Sequence, residues 1–228
     1  MAFCIDWYQT KQWTNACQMI YLPIGMKSKA LPAKTGRPRA FDPEVALERA
    51  MHVFWAKGYE GAALFDLTRA MRINRPSLYA AFGNKEQLFR KVLDRYAEGP
   101  FAYFEKALAA PSAREVVQQI LYGAVNLADT PQIPAGCLMV QGALVCGDAG
   151  SSARRELAAR RAAGGAALRR RLRRAKREGD LPQNSNPDDL ARYVITVLQG
   201  MAVQAADGTG PDQLRQVAQI ALRCWPKR

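Results

Sequence analysis

Histidine is nearly absent from this chain of 228 residues: His52 is the only one. Zinc sites of the usual kinds, and catalytic triads built on an imidazole base, therefore have almost no material to draw on. Cysteine is sparse as well. Cys4, Cys17, Cys137, Cys146 and Cys224 are odd in number, scattered and never in a CxxC pair. That spacing suits neither a disulfide framework nor a metal cluster and fits a reducing cytosol, so the expected location is cytoplasmic. No apolar run approaches the roughly 18 residues that span a bilayer, and no membrane partner is expected. No nucleophile–base spacing or phosphate loop is present, and no cofactor or metal is expected. Acidic residues are also in short supply: 20 Asp plus Glu stand against 33 Lys plus Arg, a net charge of +13. Such an excess favours a polyanionic partner, although a solubility charge accounts for it equally well.

What is present begins with an unpatterned stretch. Residues 1–25 carry Trp7, Tyr8, Trp13 and Tyr21 with no helical period, and lack the basic start and apolar core of a secretory signal. They read as an upstream extension, with translation starting at Met26, or else as a short ordered arm. Residues 26–40 form a polar basic linker with Lys27, Lys29, Lys34, Arg37 and Arg39, kept extended by Pro32, Gly36 and Pro38. Arg37 and Arg39 on such an arm can lie along a minor groove and gain from counterion release. The plainer reading is a solvated tail.

Helical order starts at Asp42-Pro43-Glu44, with an N-cap, a proline at the first helical position and an acid in the first turn. Ala46, Leu47, Ala50, Met51 and Phe54 make an apolar stripe, and Gly58 ends the helix in a left-handed conformation. A second helix is expected over 63–71, with Leu64, Leu67, Ala70 and Met71 inward. Asn74 caps a third, which carries Arg75, Pro76, Ser77, Leu78, Tyr79 and Phe82. Gly83-Asn84 breaks it, and Lys85-Glu86 opens a fourth through Leu88, Val92 and Tyr96.

Two short helices joined by a three-residue turn, with a first helix packed behind, form the geometry that inserts a helix into a major groove. The helix-turn-helix spans about 63–82 on this reading. Arg75 can fork onto guanine or phosphate, Ser77 can donate to either, and Tyr79 presents a hydroxyl to the backbone. Lys85, at a helix start, suits a phosphate. Thr68 and Pro76 complete the candidate DNA-binding set. Short three-helix bundles also occur as purely structural units.

Gly58-Tyr59-Glu60-Gly61, Asp66-Leu67-Thr68-x-Ala70, Asn74-Arg75-Pro76-Ser77-Leu78-Tyr79, Phe82 and Lys85-Glu86-x-Leu88-Phe89 resemble the DNA-binding domain of the TetR family of bacterial transcriptional regulators. Farther along, Gly136-Cys137-Leu138-Met139-Val140 and Leu198-Gln199-Gly200-Met201-Ala202-Val203-Gln204-Ala205 resemble segments of one branch of that family. The resemblance implies a homodimer on a palindromic operator, usually a repressor, that lets go when a small molecule binds. The chain departs from the pattern in three places. Ala62-Ala63 replaces a Thr-Ser pair, and losing that cap typically costs about 0.5–2 kcal/mol. Phe65 stands at a usually polar position. Arg72 replaces the glycine of the turn, where a positive φ strains a side chain by about 1 kcal/mol; it is also placed to add a phosphate contact.

Beyond Pro111 the pattern is helical throughout. Ser112 caps a segment with Val116, Ile120, Val125 and Leu127, and residues 136–146 read as a short apolar helix. A long helix over 151–178 holds eleven basic residues, with Gly164-Gly165 as a bend or close-packing point. Its Leu157, Leu168 and Leu172 give it a buried side, so the arginines read as a solvated face rather than a second DNA contact. Asn186 caps a helix with Leu190, Val194, Val197, Leu198 and Met201; a last helix carries Leu214, Val217, Ala218, Ala221, Leu222 and Trp225. Two copies of this hairpin make a four-helix dimer interface from those residues, partly on the strength of the family resemblance; otherwise both helices complete the monomer core.

A cavity between the middle helices is expected to be lined by Tyr103, Phe104, Leu121, Tyr122, Val125, Met139 and Leu144, suiting an apolar or aromatic effector, although all are equally at home in a plain core. Cys137 follows Gly136 at a helix start, where the amide dipole lowers a thiol pKa and favours reaction with electrophiles. The alternative is a small buried hydrophobe. Cys137 and Cys146 are spaced onto opposite helix faces, against an intrahelical pair.

The expected fold is all-α, with an N-terminal three-helix helix-turn-helix domain and a C-terminal helical ligand-binding and dimerisation domain. Residues 1–40 are the extension and basic arm, 41–97 the DNA-binding domain, and 98–228 the effector-binding and dimerisation domain. The expected function is a homodimeric DNA-binding transcriptional regulator, a repressor released from double-stranded operator DNA by a small effector. The alternatives are an interaction protein with a degenerate helix-turn-helix and, least favoured, an all-α enzyme.

Overall fold

Side chains that satisfy unpaired backbone N–H groups mark where the helices begin. A computed structural model describes residues 41–142 and 150–226; the first 40 residues, with Arg37 and Arg39, and Leu144 and Cys146 lie outside them. Helix α1 (Pro43–Gly61) starts where the Asp42 carboxylate accepts the Glu44 N–H at 2.8 Å. Its helical geometry breaks at Gly58, whose φ of +68° and ψ of 178° belong to glycine almost alone. Helix α2 (Leu64–Met71) follows Ala63, which offers no side-chain cap. Helix α3 (Arg75–Phe82) begins at Asn74, whose Oδ1 accepts the Ser77 N–H at 2.8 Å. At α4 (Lys85–Glu98), Asn84 and Gln87 cap each other reciprocally.

The remaining helices are α5 (Ala102–Leu108), α6 (Ala113–Ala128), α7 (Leu138–Gln141), α8 (Ser151–Arg177), α9 (Pro187–Ala206) and α10 (Pro211–Arg223). Ser112 and Asn186 cap α6 and α9 through the N–H groups of Glu115 and Asp188. No strand occurs among the described residues. Of the apolar helix expected over 136–146, the described residues form the single turn of α7, with Cys137 as its N-cap. Helix α8 runs on through Gly164 and Gly165, so that pair is a close-packing point.

Two apolar clusters hold these elements. The first gathers Met51, Phe54, Trp55, Leu67, Met71, Leu78 and Phe89 from α1–α4, and also takes in Cys137–Val140 of the α7 region, Leu157 of α8 and Ala202 of α9. Burying each large side chain of this kind contributes roughly 1.5–3 kcal/mol. Ala62 is buried there too, which fits the absence of a hydroxyl at that position. The second cluster joins α5, α6, the C-terminal half of α8, α9 and α10. Gly123 permits one close approach within it: a Cβ there would fall 2.1 Å from the ring of Tyr103.

The second cluster corrects the expected dimer interface. Val194, Leu198, Met201, Leu214, Ala218, Ala221, Leu222 and Trp225 are buried inside this chain, and Leu190 and Val197 pack against them half-buried. They face α6 and α8 rather than solvent and complete the monomer core. Of the expected set only Val217 is exposed, at 41%. The apolar residues that do face outward are Tyr193 and Val203 on α9 and Val217 and Ile220 on α10.

Candidate nucleic-acid interface and cavity

Helices α2 and α3 are held by α1 from behind. The Lys57 ammonium pairs with Asp66 at 2.8 Å and holds that carboxyl below the usual carboxylate range, mainly through the hydrogen bond. Leu67, Met71, Leu78 and Phe82 turn inward, which leaves Arg75, Pro76, Tyr79 and Ala80 of α3 on the outside. Tyr79 is 48% exposed, high for a ring that size. Ser77 is half-buried, its N–H held by Asn74. Arg75, Pro76 and Tyr79 therefore share one outward surface at the start of a capped helix.

Thr68 and Lys85 sit differently from expectation. The Thr68 hydroxyl donates to the carbonyls of Leu64 and Phe65, at 2.9 and 3.1 Å, so its proton is engaged within its own helix. Lys85 folds back over α1, its Nζ 3.5 Å from the Glu60 carbonyl and 4.6 Å from the centroid of the Tyr59 ring. The sequence singled out Phe65 and Arg72 but not Arg69; on α2's outer face the three recur at i, i+4 and i+7 and all are exposed. Phe65 reaches 62% exposure. Arg72 has φ +57° and is the only non-glycine with positive φ among the described residues.

A cavity of about 80 Å³ lies on the other side of α7. Of the residues named for it, Tyr103, Phe104 and Met139 line it, together with Phe101, Leu127, Cys137, Arg160, Arg161, Ile195 and Gln199. Leu121 and Val125 do not: both are buried in the second cluster, and Tyr122 packs half-buried against the same cluster, because α6 turns those positions toward its helical neighbours. The two arginines were missed. Arg161 had a signal, since Leu157, Arg161, Gly164 and Leu168 recur at i, i+4, i+7 and i+11, which places an arginine inside an apolar stripe.

The thiol of Cys137 also departs from expectation. Its side chain is buried and accepts a hydrogen bond from the Tyr96 hydroxyl at 3.3 Å. Burial pushes the thiol pKa up, outweighing the lowering by Tyr96, the α7 amides and Arg161. A four-residue helix contributes too little to reverse that. Burial likewise raises Tyr96 and Tyr103 above the ordinary phenol value.

Comparison with known proteins agrees with this geometry. Residues 46–92 match the family described as bacterial regulatory proteins, tetR family, and residues 113–222 match the tetracyclin repressor-like C-terminal domain. The chain is 34% identical over 194 residues to the HTH-type transcriptional repressor ComR of Escherichia coli K12, covering 84% of this chain and 92% of ComR. It is 32% identical over 189 residues to the uncharacterized HTH-type transcriptional regulator YezE of Bacillus subtilis 168, covering 82% and 97%. Among solved structures it resembles a cysteine mutant of the TetR family regulator CifR complexed with 26-bp double-strand operator DNA. The TM-score is 0.80 at 45% identity, over 83% of this chain and 100% of that one.

Proposed function

This chain belongs to the TetR family of bacterial regulatory proteins and is a DNA-binding transcriptional regulator rather than an enzyme; on that premise we propose that it is a homodimeric repressor released from a palindromic operator by a small molecule in the cavity beside α7. The observation that carries the DNA half of this reading is the outward surface of α3, where Arg75, Pro76 and Tyr79 are exposed behind the Asn74 cap. Arg75 is suited to a guanine or a phosphate, and Tyr79 to the sugar–phosphate backbone. The CifR complex with operator DNA supports the same use of this fold.

Twofold symmetry comes from the outer faces of the last two helices. Tyr193, Gly200 and Val203 recur at i, i+7 and i+10 on α9, and Val217, Ile220 and Cys224 at i, i+3 and i+7 on α10; all are exposed. A Cβ at Gly200 would meet no atom within 4 Å, so the backbone there is open to a second copy. Release follows when a ligand entering between α5, α8 and α9 displaces α7, whose neighbour Gly142 is hydrogen-bonded to the end of α1. The two recognition helices then lose the roughly 34–36 Å spacing that adjacent half-sites require.

The test is binding selection from a random duplex library, followed by titration of the selected site with wild type, Arg75→Ala and Tyr79→Ala. Each substitution is expected to cost about 1–3 kcal/mol of operator affinity. Unchanged affinity in both variants removes α3 from recognition.

A further inference from the structure

The cavity beside α7 has an uneven distribution of charge. No Asp or Glu lines it among the described residues, but Arg160 and Arg161 both do. Arg160 is neutralised: its Nε and Nη2 pair with Glu156 and Asp94, each at 2.7 Å. Arg161 is not. Its Nη1 donates to the Met139 carbonyl at 2.6 Å, and it forms no ion pair among the described residues. The Arg161 side of the cavity thus carries a half-buried guanidinium whose Nε and Nη2 bond to none of the described residues. A guanidinium that lines the cavity with no carboxylate beside it there is suited to pair with an anionic group.

A second donor lies close by. The Tyr103 ring packs against Gly123 and lines the same cavity, and its hydroxyl makes no hydrogen bond among the described residues. Tyr103 and Arg161 line the cavity together with Cys137 and Met139, and Arg161 reaches the Met139 carbonyl. Opposite in character are the rings of Phe101 and Phe104, stacked at 5.2 Å and 12°, with Met139, Ile195 and Met201. Donors without ionic partners in a wall that is otherwise apolar and aromatic select a ligand of matching polarity.

We propose that this cavity takes a small carboxylate with a compact aromatic or short aliphatic body, its two oxygens received by Arg161 and the Tyr103 hydroxyl. The inference rests on the reading that the cavity holds the releasing effector, and it adds the effector's charge. Arginine's fork matches a carboxylate in two parallel N–H···O bonds, which an uncharged amide of the same shape does not reproduce. The volume of about 80 Å³, roughly half that of a cavity that takes up benzene, limits the body to a single ring at most and requires the walls to give as it enters.

Phenylacetate and its uncharged isostere phenylacetamide serve as probes, titrated calorimetrically into the DNA-free full chain near neutral pH. Phenylacetate is expected to bind at least tenfold more tightly than the amide. In Arg161→Gln that preference disappears, and in Arg161→Lys part of it returns. Tyr103→Phe, which keeps the ring against Gly123, is expected to weaken phenylacetate a few-fold; circular dichroism verifies that each variant is folded. Equal binding of acid and amide, a preference that survives Arg161→Gln, or no binding of either probe overturns the proposal. The release reading is tested separately on operator-bound protein. If phenylacetate binds without displacing DNA, the release reading fails and the carboxylate site stands. If the amide binds equally and displaces DNA, the reverse holds.

Discussion

Tyr59 donates its backbone N–H to the carbonyl of Gly142 at 2.7 Å, tying the broken end of α1 to the residue that closes α7. The Tyr59 ring lies 5.0 Å from Phe89 and 6.2 Å from Phe54, inside the core that supports the helix-turn-helix. Cys137, Met139 and Val140, toward the start of α7, are cavity wall. One short turn of helix therefore touches both the cavity and the segment that leads into α2.

Gly58 makes this junction possible. A Cβ there would sit 3.4 Å from the Gly142 oxygen, on a backbone with φ +68°. Gly58→Ala is expected to lower stability by about 1–3 kcal/mol, read as a fall in the urea midpoint with an unchanged slope. An unaltered midpoint means that the break in α1 carries no strain.

Arg72 offers the opposite case. It holds φ +57° at the end of α2, a conformation that costs a side chain roughly 1–2 kcal/mol. Arg72→Gly should leave the melting temperature unchanged or raise it, whereas Arg69→Gly, inside α2, should cost about 1 kcal/mol. If Arg72 also meets a phosphate, its replacement lowers the salt slope of DNA binding by about 0.9. Equal destabilisation by both substitutions rules out strain at Arg72.

The last two helices separate core from interface. Leu214 is buried and Ile220 is 51% exposed. Leu214→Ala is expected to cost about 2–5 kcal/mol. Ile220→Glu is expected to leave the fold intact and shift the protein from dimer to monomer in analytical ultracentrifugation. A dimer that survives changes at both Val217 and Ile220 places the interface elsewhere.

Alkaline pH probes the buried thiol. In the folded chain Cys137 stays protonated above the ordinary value of 9.0, while in the unfolded chain it ionises. The unfolded state then binds fewer protons, so stability falls as pH rises past about 9. Tyr96 and Tyr103 add to the same slope above about 10. Cys137→Ala should flatten the first part of that decline. Peptide mapping after alkylation at neutral pH should find Cys224, which is exposed, modified well before buried Cys137; equal rates contradict the burial.

Legibility differed between the two halves of the chain. The starts of α1, α3 and α4 were readable because Asp42, Asn74 and Asn84 act on N–H groups two or three residues away, so the cause lies within the local sequence. Which face of α9 and α10 is buried was not readable from the same kind of pattern. Leu198 and Leu214 show that an apolar stripe exists, but α6 and α8, distant in sequence, decide that it belongs to the monomer. The cavity was half-legible for the same reason. Tyr103 and Phe104 reach it, while Leu121 and Val125, one helix turn apart on α6, turn into the core.

The most direct measurement is an anisotropy titration at about 150 mM salt, comparing the intergenic DNA beside this protein's own gene with a shuffled duplex of equal length. A repressor that reads its operator through α3 prefers the intergenic duplex by about a thousandfold or more, and loses that preference in Arg75→Ala with Tyr79→Ala. Equal, steeply salt-dependent binding to both duplexes, unchanged by those substitutions, would contradict it: the basic charge alone would then be acting.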